Sequence, residues 1–402
     1  MMALEGLRII DMTIWQHGPV STAMLADMGA EVIKIEMRES GDPGRYLSTW
    51  NFQSSDKDQF PLNYYWENNN RNKKSLALDL KKPEGIEVIT RLIKKSDAFV
   101  SNFREASLVR LGLGYESVHE INPRLVYAVG YGFGPKGPDA HRPSADLAAQ
   151  ARAGIMSQIQ SAPPMQIWGG LADQTGAFML CLGITMGLLT RERTGIGQKV
   201  EESLFGTQLA VGALMAQGTL FSGAVPSEYR RRALSPFWNV YKTKDDKWLC
   251  LSVLEMDRDW HPVCKALDLE WMEEDPRFQN GHDRVHTYSN ELIDILEEAF
   301  AKKTRDEWGA ILNKTDIIWA PVHNYMEALA DPQAVANEYV VEMDHPNVGK
   351  IKMLGLPLRF SETPGKVRTP APELGQHNEE ILTETLGYSW DEVTALREKQ
   401  VI

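Results

Sequence analysis

The chain has 402 residues, of which 43% are hydrophobic, and this favours two domains over one. Its formal net charge of −12 argues against nucleic acid and anionic membranes as partners, because both bind basic surfaces. The three cysteines are scattered, and the N-terminus lacks the basic flank and apolar run of a secretion signal. We therefore expect a protein of the reducing cytoplasm.

The first third of the chain alternates strands with helices. Residues 7–12 are apolar and β-prone, residues 19–28 are helical with a proline near the first turn, and residues 30–36 return to strand. The alternation continues with strands at 75–80, 97–103 and 125–130 and a helix at 83–95. Such a pattern predicts an α/β fold, in which helices cover both faces of a parallel, Rossmann-like sheet.

A long helix is predicted at 171–193. Its most apolar part, 177–189, falls short of the roughly 20 residues that a bilayer span needs, so we expect a buried helix. A second helical stretch ends near Gly223. Residues 224–236 then combine three consecutive arginines, Arg230 to Arg232, with two prolines, and this composition predicts a linker.

A smaller α+β domain follows. Strands at 239–243 and 247–253 predict a hairpin, and the sequence is then mainly helical to about residue 313. Strands near 317–323 and 350–360 and the last helices are expected to carry the chain back. The predicted division is a large α/β domain at 1–223, a linker at 224–236, a small domain at 237–325 and a return segment at 326–402 that completes the large domain.

Two common kinds of site are not predicted. The turn after the first strand, 14–19, has one glycine, whereas a dinucleotide fingerprint needs three spaced glycines. His282 and His286 have a ligand-like spacing, but no second pair completes a metal site, so surface histidines are the better interpretation.

Asp173 follows the glycine pair Gly169 and Gly170 at the start of the most apolar helix. A carboxylate in the first helical turn is kept ionised by the backbone N–H groups and the helix dipole. On the residues alone, an N-cap is the more frequent role for such an aspartate. A nucleophile is the alternative.

Basic residues recur in the predicted connections. Arg71, Lys73 and Lys74 lie in one polar run, and Arg104, Arg110 and Arg142 follow predicted strands. Connections after parallel strands share one edge of the sheet, where ligands bind, and converging basic side chains suit phosphates. For any one of these residues, solvated surface charge is the simpler interpretation.

Short segments in a fixed order carry a resemblance that runs from Leu4 to Ile402. They are 4–11, 29–36 with 41–43, 72–75 leading to Asp79, 102–103, 132–135, 194–198, 374–377 and 386–389. Together they resemble the class III coenzyme A-transferases, which include formyl-CoA transferase and carnitine CoA-transferase. The resemblance implies transfer of coenzyme A (CoA) from an acyl-CoA to a free carboxylic acid, with CoA as a co-substrate and no permanently bound cofactor.

By this resemblance Asp173 lies at the position of the family's nucleophilic aspartate, and Gln16 matches a glutamine of the active site. An ionised aspartate would attack the thioester, giving a mixed anhydride and then an aspartyl-CoA thioester. The positions that match CoA contacts are His17, Arg38, Asn70, Arg71, Asn72, Lys73, Asn102, Phe103, Arg104, Arg110 and Arg142. The family's fold also implies an interlocked homodimer.

The sequence departs from the family in two places. Formyl-CoA transferase has a run of glycines in its small domain, and residues 253–256 here contain none. Many relatives have an aromatic residue where this chain has Ala145. The space at Ala145, with Trp15 and Trp168 nearby in the resemblance, suggests a larger or more apolar acyl group than formate or oxalate.

Two other functions share this resemblance. α-Methylacyl-CoA racemases carry a Gly-His-Asp segment, and the matching segment here is Ser144-Ala145-Asp146, with His141 four residues before Ala145. Proton exchange needs a base near the α-carbon, so the missing histidine favours the transferase. An inactive acyl-CoA-binding subunit of a heteromer is the other alternative, and retention of Asp173 argues against it. The donor, the acceptor and a possible partner chain stay open.

Overall fold

This computed structural model describes residues 1–47, 62–158, 164–225 and 235–402. These residues divide into a large unit, Met1–Ser157 with Met165–Gly223 and Ala336–Ile402, and a small unit, Gln158–Pro164 with Ala224–Val335. Arg230, Arg231 and Arg232 of the predicted linker lie outside the described residues.

Six parallel strands form the central sheet of the large unit. They are β1 (Arg8–Met12), β2 (Glu31–Met37), β3 (Lys73–Leu78), β4 (Ala98–Ser101), β5 (Val126–Tyr131) and β6 (Lys199–Ser203). Their order across the sheet is β3-β2-β1-β4-β5-β6, and every neighbouring pair is parallel. The predicted α/β fold with a parallel sheet is confirmed. The strand order reverses between β1 and β4, and ligands of open α/β sheets bind beside such a reversal.

The helices of the first 223 residues are α1 (His17–Asp27), α2 (Tyr64–Asn70), α3 (Pro83–Lys94), α4 (Glu105–Arg110), α5 (Tyr115–Ile121), α6 (Asp146–Arg152), α7 (Ile155–Gln158), α8 (Leu171–Thr194), α9 (Leu204–Val211) and α10 (Ala213–Ser222). Most of these helices follow a strand and carry the chain from the carboxyl end of that strand back to the amino end of the next one, as a crossover between parallel strands requires. The start of each crossover therefore lies at the carboxyl end of a strand.

The sheet is covered on both faces, which explains why the inner strands β4 and β5 are nearly continuous apolar runs. On one face, Val88 and Leu92 of α3 pack in the same core as Val393 from the C-terminal helix. On the other face, Leu25 of α1 and Ile184 of α8 pack against the sheet. The sheet therefore lies between two cores, and the site described below is at the carboxyl ends of its strands.

By length and composition, α8 is apolar enough to cross a membrane, and so is the bent pair α9 and α10. A core helix of a globular protein passes the same test, and three of the described core residues, Leu180, Ile184 and Leu188, lie on the buried face of α8. The predicted helix at 171–193 is present, but the expectation that it is buried holds for one side only, because Phe178, Leu182, Met186 and Leu189 on the other side are about half exposed.

The C-terminal return covers the exposed edge of the sheet. The backbone N–H of Ser75 in β3 donates to Nδ1 of His377 (3.1 Å), and that of Ala77 donates to Oδ1 of Asn378 (2.8 Å). An edge strand left open would present unpaired N–H groups to other chains. The return segment therefore completes the large unit both in its core and at its edge.

The small unit has a three-stranded antiparallel sheet of β7 (Trp238–Lys242), β8 (Trp248–Ser252) and β9 (Trp319–Val322). β9 pairs with β8, so the expectation that this strand carries the chain back to the large domain is wrong. The cause is that β9 is an edge strand whose partner precedes it by about 70 residues, a pairing that local pattern does not encode.

The remaining elements are α11 (Trp260–Ala266), α12 (Ser289–Phe300), α13 (Arg305–Leu312), α14 (Tyr325–Ala330), α15 (Pro332–Ala336), β10 (Val340–His345), β11 (Gly349–Leu354), α16 (Asn378–Glu380) and α17 (Trp390–Glu398). The strand predicted at 350–360 ends early, at Leu354, where its antiparallel partner β10 begins. The chain re-enters the large unit at Ala336, ten residues beyond the predicted boundary.

Candidate active site

The turn after β1 is held in a strained shape. Trp15 has a φ of 66°, a left-handed conformation that a tryptophan rarely adopts. Its N–H donates to Oδ1 of Asp42 (3.1 Å), while Asn102 accepts from the N–H of Ile14 (3.0 Å) and donates to the Ile14 carbonyl (2.8 Å). The two side chains fix the turn that carries Gln16 and His17. Asn102 is thus a support of the turn as well as a lining residue of the site.

A cavity of about 770 Å³ opens at the carboxyl ends of β1, β4 and β5. Its described lining includes the aromatic side chains Trp15, Tyr64, Tyr65, Tyr131 and Trp168 and the polar side chains Gln16, His17, Asn68, Asn69, Asn102, Ser144, Asp146, Gln166, Asp173 and Gln174. The cavity lies where the strand order reverses, as expected of a ligand site in this fold.

Asp173 lies in the first turn of α8 but does not cap it. Gly170 precedes the helix in a left-handed conformation (φ 75°) and has no side chain to accept a hydrogen bond. Instead, Oδ1 of Asp146, from α6, accepts from the N–H groups of Ala172 (2.6 Å) and Asp173 (3.3 Å). The N-cap prediction for Asp173 is therefore wrong, because a carboxylate distant in sequence has taken that role.

Asp146 is itself locked in place. Nε2 of the fully buried Gln150 donates to Oδ2 of Asp146 (2.7 Å) and to the carbonyl of Ile167 (3.0 Å), and Oε1 of Gln150 accepts from the Ile167 N–H (3.0 Å). Both oxygens of the Asp146 carboxylate are thus engaged. The Asp173 carboxylate, by contrast, receives no hydrogen bond from the described part of the chain, and it faces the cavity.

His17 is buried beside Asp173 and pairs with a carboxylate of β6. Its Nε2 lies 2.7 Å from Oε2 of Glu202, whose other oxygen accepts from the hydroxyl of Thr207 (2.6 Å). Burial acts to lower the pKa of His17, but the hydrogen bond and charge of Glu202, with the charge of Asp173, raise it above the ordinary value. The surroundings of His17 therefore favour its protonated form beside Asp173.

Two glycines make room for that imidazole. A Cβ on Gly130 would lie 2.4 Å from Cε1 of His17, and a Cβ on Gly176 would lie 3.1 Å from its Cδ2. Gly130 of β5 is paired in register with Glu202 of β6. The close approach of the ring to two backbones therefore requires glycine at both positions, and it brings His17 onto its carboxylate partner.

Burial raises the pKa of Asp173 to about 6; His17 opposes this shift, while the charges of Asp146 and Glu202 add to it. The carboxylate is therefore ionised at neutral pH and poorly solvated. That combination makes a carboxylate more reactive than one in bulk water.

Gln16 lies beside the N-terminus of α8. Its Nε2 donates to the carbonyl of Gly169 at 3.4 Å, and a Cβ on Gly170 would lie 2.6 Å from its Oε1. The glycine pair before Asp173 thus admits the carboxamide of Gln16 to the rim of the cavity.

Four predicted CoA contacts instead form internal bonds. Arg71 pairs with Asp27 (2.7 Å), and Asn72 donates to the same carboxylate (2.7 Å). The Asn70 side-chain oxygen accepts from Lys73 (3.0 Å). These side chains lie within the fold and not on the cavity, so we leave Asn70, Arg71, Asn72 and Lys73 out of the proposed CoA site.

Lys73 belongs to a network of buried charges under the turn. Its Nζ lies 2.8 Å from Oδ2 of Asp11, and Nζ of Lys34 lies 2.9 Å from Oδ2 of Asp42. Burial lowers the pKa of Lys73 to about 8, although the charge of Asp11 acts to raise it. Since Asp42 also accepts from the Trp15 N–H, the network supports the strained turn.

His17 and Asn102 line the large cavity, whereas the remaining five predicted contacts lie outside it. Arg38 and Phe103 line a second cavity of about 390 Å³ at the carboxyl ends of β1 to β4. The Arg104 side chain is exposed and makes no hydrogen bond within the described residues, whereas Arg110 donates to Ser107 (3.0 Å) and Arg142 pairs with Asp139 (3.2 Å). Their convergence on one ligand stays a prediction.

The sequence analysis did not identify Glu202, Gln150, Tyr65 and Asn69 as site residues. It named Asp146 only in the comparison with the racemase segment, in which a histidine precedes the aspartate. Glu202 had no clear signal, because its strand, with the sequence KVEES, is short and polar and was not predicted. The others had none, since amide and hydroxyl groups are common on any helix. Within the described ranges, no group of three or more His, Cys, Asp or Glu side chains is arranged to hold a metal ion.

The model of CoA-transferase family III matches residues 4–378. The chain belongs to this family. The resemblance found in the sequence is confirmed, and the protein is a class III CoA-transferase.

Curated relatives cover the whole chain. It is similar to an acyl-CoA transferase of Fusarium pseudograminearum, at 34% identity over 100% of this chain and 88% of the relative. It is 30% identical to the (R)-2-hydroxy-4-methylpentanoate CoA-transferase of Clostridioides difficile, over 100% of both chains. Among solved structures, a CAIB/BAIF family protein of Brucella suis has a TM-score of 0.82 and 29% identity, covering 95% of this chain and 99% of that one.

The internal role of Lys73 gives a first prediction. Lys73→Met leaves Asp11 buried without its nearest cation, so we expect the free energy of unfolding to fall by about 3–5 kcal/mol. Urea denaturation followed by circular dichroism measures this. Arg104→Ala is the control, because Arg104 is exposed, and it should leave the urea midpoint unchanged. A stable Lys73→Met protein with weakened acyl-CoA binding would instead support the predicted CoA contact.

Proposed function

We propose that the enzyme moves CoA from an acyl-CoA to a free carboxylic acid with Asp173 as the nucleophile. The observation that carries this proposal is the state of the Asp173 carboxylate. It faces the large cavity without a hydrogen bond from the described residues, and a second carboxylate, Asp146, caps its helix. The Asp173 side chain thus makes no structural hydrogen bond to the described residues.

The donor half-reaction balances in two steps. An oxygen of the ionised Asp173 attacks the thioester carbonyl carbon, the C–S bond breaks, and the products are a mixed anhydride and CoA thiolate. The thiolate then attacks the aspartyl carbonyl carbon, and the acid leaves as its carboxylate. CoA is now attached to Asp173 as a thioester, so the free energy of the thioester is retained.

The acceptor half-reaction is the reverse with a different acid. The acceptor carboxylate attacks the aspartyl thioester and releases CoA thiolate, which then attacks the acyl carbonyl of the new anhydride. Asp173 is regenerated as a carboxylate, and no net proton is taken up. The partly buried site limits hydrolysis of the anhydride and the thioester by water.

Two groups near Asp173 are placed to stabilise the negative charge of the reaction. The Gln16 carboxamide lies beside Gly169 and Gly170 and is our candidate donor to the tetrahedral oxyanions. The His17 imidazolium, paired with Glu202, compensates the charge of Asp173 without touching it through a hydrogen bond. This arrangement leaves the aspartate both ionised and nucleophilic.

The second cavity suits the nucleotide end of CoA. It lies on the same edge of the sheet, has largely apolar walls that include Phe103, and is bordered by the cations Arg38 and Lys81 as well as by the carboxylates Glu36, Glu39, Asp42 and Asp79. The exposed Arg104 follows Phe103 in the chain and is available for phosphate. We propose that CoA extends from this cavity to Asp173, with Arg110 and Arg142 as outer phosphate contacts.

The cavity lining favours transfer over racemisation. Ser144, Ala145 and Asp146 line it, and this segment contains no histidine. His141 is exposed and is not among the described lining residues. His17 is the histidine that lines the cavity, and it already pairs with Glu202, so a free second base for α-proton exchange is missing from the described lining.

The decisive test is covalent labelling of Asp173. Incubated with an acyl-CoA and no acceptor, wild-type enzyme should release the acid and carry CoA on the Asp173 peptide, as read by mass spectrometry and trapped by hydroxylamine. Asp173→Ala and Asp173→Asn should lose turnover by several orders of magnitude. Glu105→Ala, an exposed carboxylate, is the control. Deuterium uptake at the α-carbon from heavy water, without labelling of Asp173, would identify a racemase. Absence of both labelling and deuterium uptake would indicate an inactive subunit.

The raised pKa of Asp173 predicts the acid limb of the pH profile, which is the loss of kcat/KM as the pH falls. Because the nucleophile is the ionised carboxylate, kcat/KM for acyl-CoA should be level above pH 6 and fall about tenfold per unit below it. His17→Gln removes a charge that lowers the pKa of Asp173, so the limb should move to higher pH. Glu105→Gln should leave the limb in place. A flat profile between pH 5 and 8 would contradict the assignment.

We also propose a homodimer, supported by an uncovered apolar stripe on α8. Phe178, Leu182, Met186 and Leu189 recur on one side of the helix and are each about half exposed. In α10, Leu220 and Phe221 are 76% and 85% exposed. Apolar stripes of this kind usually mark an interface between proteins.

Light scattering after size exclusion should therefore give twice the chain mass of 45.3 kDa. If the chains interlock, dilution should yield no monomer within hours, because separation requires opening a fold. Leu182→Glu should reduce the yield of dimer, whereas Lys94→Glu, an exposed charge reversal on α3, should not. A stable monomer of the wild-type chain would refute the interlocked arrangement.

A further inference from the structure

One buried amide in the large cavity is half satisfied. The Asn69 side chain is 1% exposed, and its Oδ1 accepts from Nδ2 of Asn68 (3.0 Å). Its own Nδ2 has no acceptor among the described residues. A buried N–H group without an acceptor is destabilising, and buried amides are almost always paired. Asn69 therefore points to a ligand with a hydrogen-bond acceptor.

The helix geometry brings Asn69 to the reacting end of the cavity. Tyr65 and Asn69 are four residues apart on α2, so they are neighbours on one face, and both line the cavity. After burial, the charge of Asp173 is the largest influence that raises the pKa of the Tyr65 hydroxyl, which indicates that this face looks toward the nucleophile. The hydroxyl of Ser144, buried and also without a partner in the described chain, lines the same space.

The charged side chains of the cavity lining limit the charge of the acyl groups that can bind. The described lining has no lysine or arginine, and its only cation, His17, already pairs with Glu202. Asp146 and Asp173 contribute two carboxylates. A second carboxylate on the acyl chain would be desolvated here without a partner, whereas Trp15, Trp168 and Ala145 provide an apolar space. The lining thus suits a neutral chain.

We propose that Asn69 determines specificity by donating to a neutral oxygen on the acyl group, and that the substrates are monocarboxylic acids with a hydroxyl or oxo group near the carboxyl end and an apolar remainder. This inference rests on the proposed covalent route through Asp173. The other source of a neutral acceptor is an amide carbonyl in the pantetheine arm of CoA itself.

The test is the labelling half-reaction with a matched set of thioesters: hexanoyl-CoA, 2-hydroxyhexanoyl-CoA, 3-hydroxyhexanoyl-CoA and adipoyl-CoA. The measured quantity is the second-order rate constant for attachment of CoA to Asp173. We expect one hydroxylated thioester to react about fivefold faster than hexanoyl-CoA, the gain of one neutral hydrogen bond. Adipoyl-CoA, with its second carboxylate, should react more slowly than hexanoyl-CoA by about tenfold or more, because that charge lacks a partner.

The variant Asn69→Leu keeps the number and branching of the side-chain heavy atoms and removes the donor. The ratio between the hydroxylated and plain thioesters should then fall toward one, and Ser144→Ala, the milder variant, should reduce the ratio less. If Asn69→Leu does not fold, the wild-type panel and Ser144→Ala still decide the question.

Several outcomes would overturn the inference. Equal rates for hexanoyl-CoA and both hydroxylated thioesters, or adipoyl-CoA as the fastest substrate, would remove the proposed substrate class. An equal loss for every thioester in Asn69→Leu would assign the amide to pantetheine. Absence of CoA on Asp173 with all four thioesters would overturn the proposed function, and this inference with it, whereas labelling without discrimination would overturn only the inference.

Discussion

The site depends on one helix cap supplied from outside the helix. Asp146 satisfies the first N–H groups of α8, a task that usually falls to a residue at the helix start. Gly170 at that point has no side chain, and Asp173, three residues later, is relieved of the task. The helix N-terminus therefore stabilises negative charge near Asp173 without bonding to its oxygens, and both oxygens stay without a hydrogen bond from the described residues, as the proposed nucleophile requires.

Buried charges surround this carboxylate in compensated pairs. His17 with Glu202 lies beside it, and the network of Lys73 with Asp11 and Lys34 with Asp42 lies beneath the turn that carries Gln16 and His17. A buried ion pair gains little net stability, but loss of one partner is costly. Such pairs therefore fix positions rather than add stability, and here they hold a strained turn at the edge of the sheet.

The family determines the reaction class but not the acid. Relatives of similar identity carry names that refer to different acids, so membership of the family does not identify the acid. In this chain the described lining of the large cavity has no lysine or arginine, and it contains the half-satisfied amide of Asn69. Our inference about the acyl group rests on these two features.

The sequence by itself determined the parallel α/β fold, because the period of apolar residues and the glycine and proline boundaries are local properties. It also marked Asp173, through the glycine pair and the family resemblance. The roles of Asp146, Glu202 and Lys73 were decided only by the tertiary structure. Each acts across dozens of residues, from Lys73 to Asp11, from Glu202 to His17 and from Asp146 to α8, and the direction of a side chain across a sheet edge is fixed by packing and not by its neighbours in sequence. For that reason Lys73 looked like a phosphate ligand in the sequence and proved to be half of a buried ion pair.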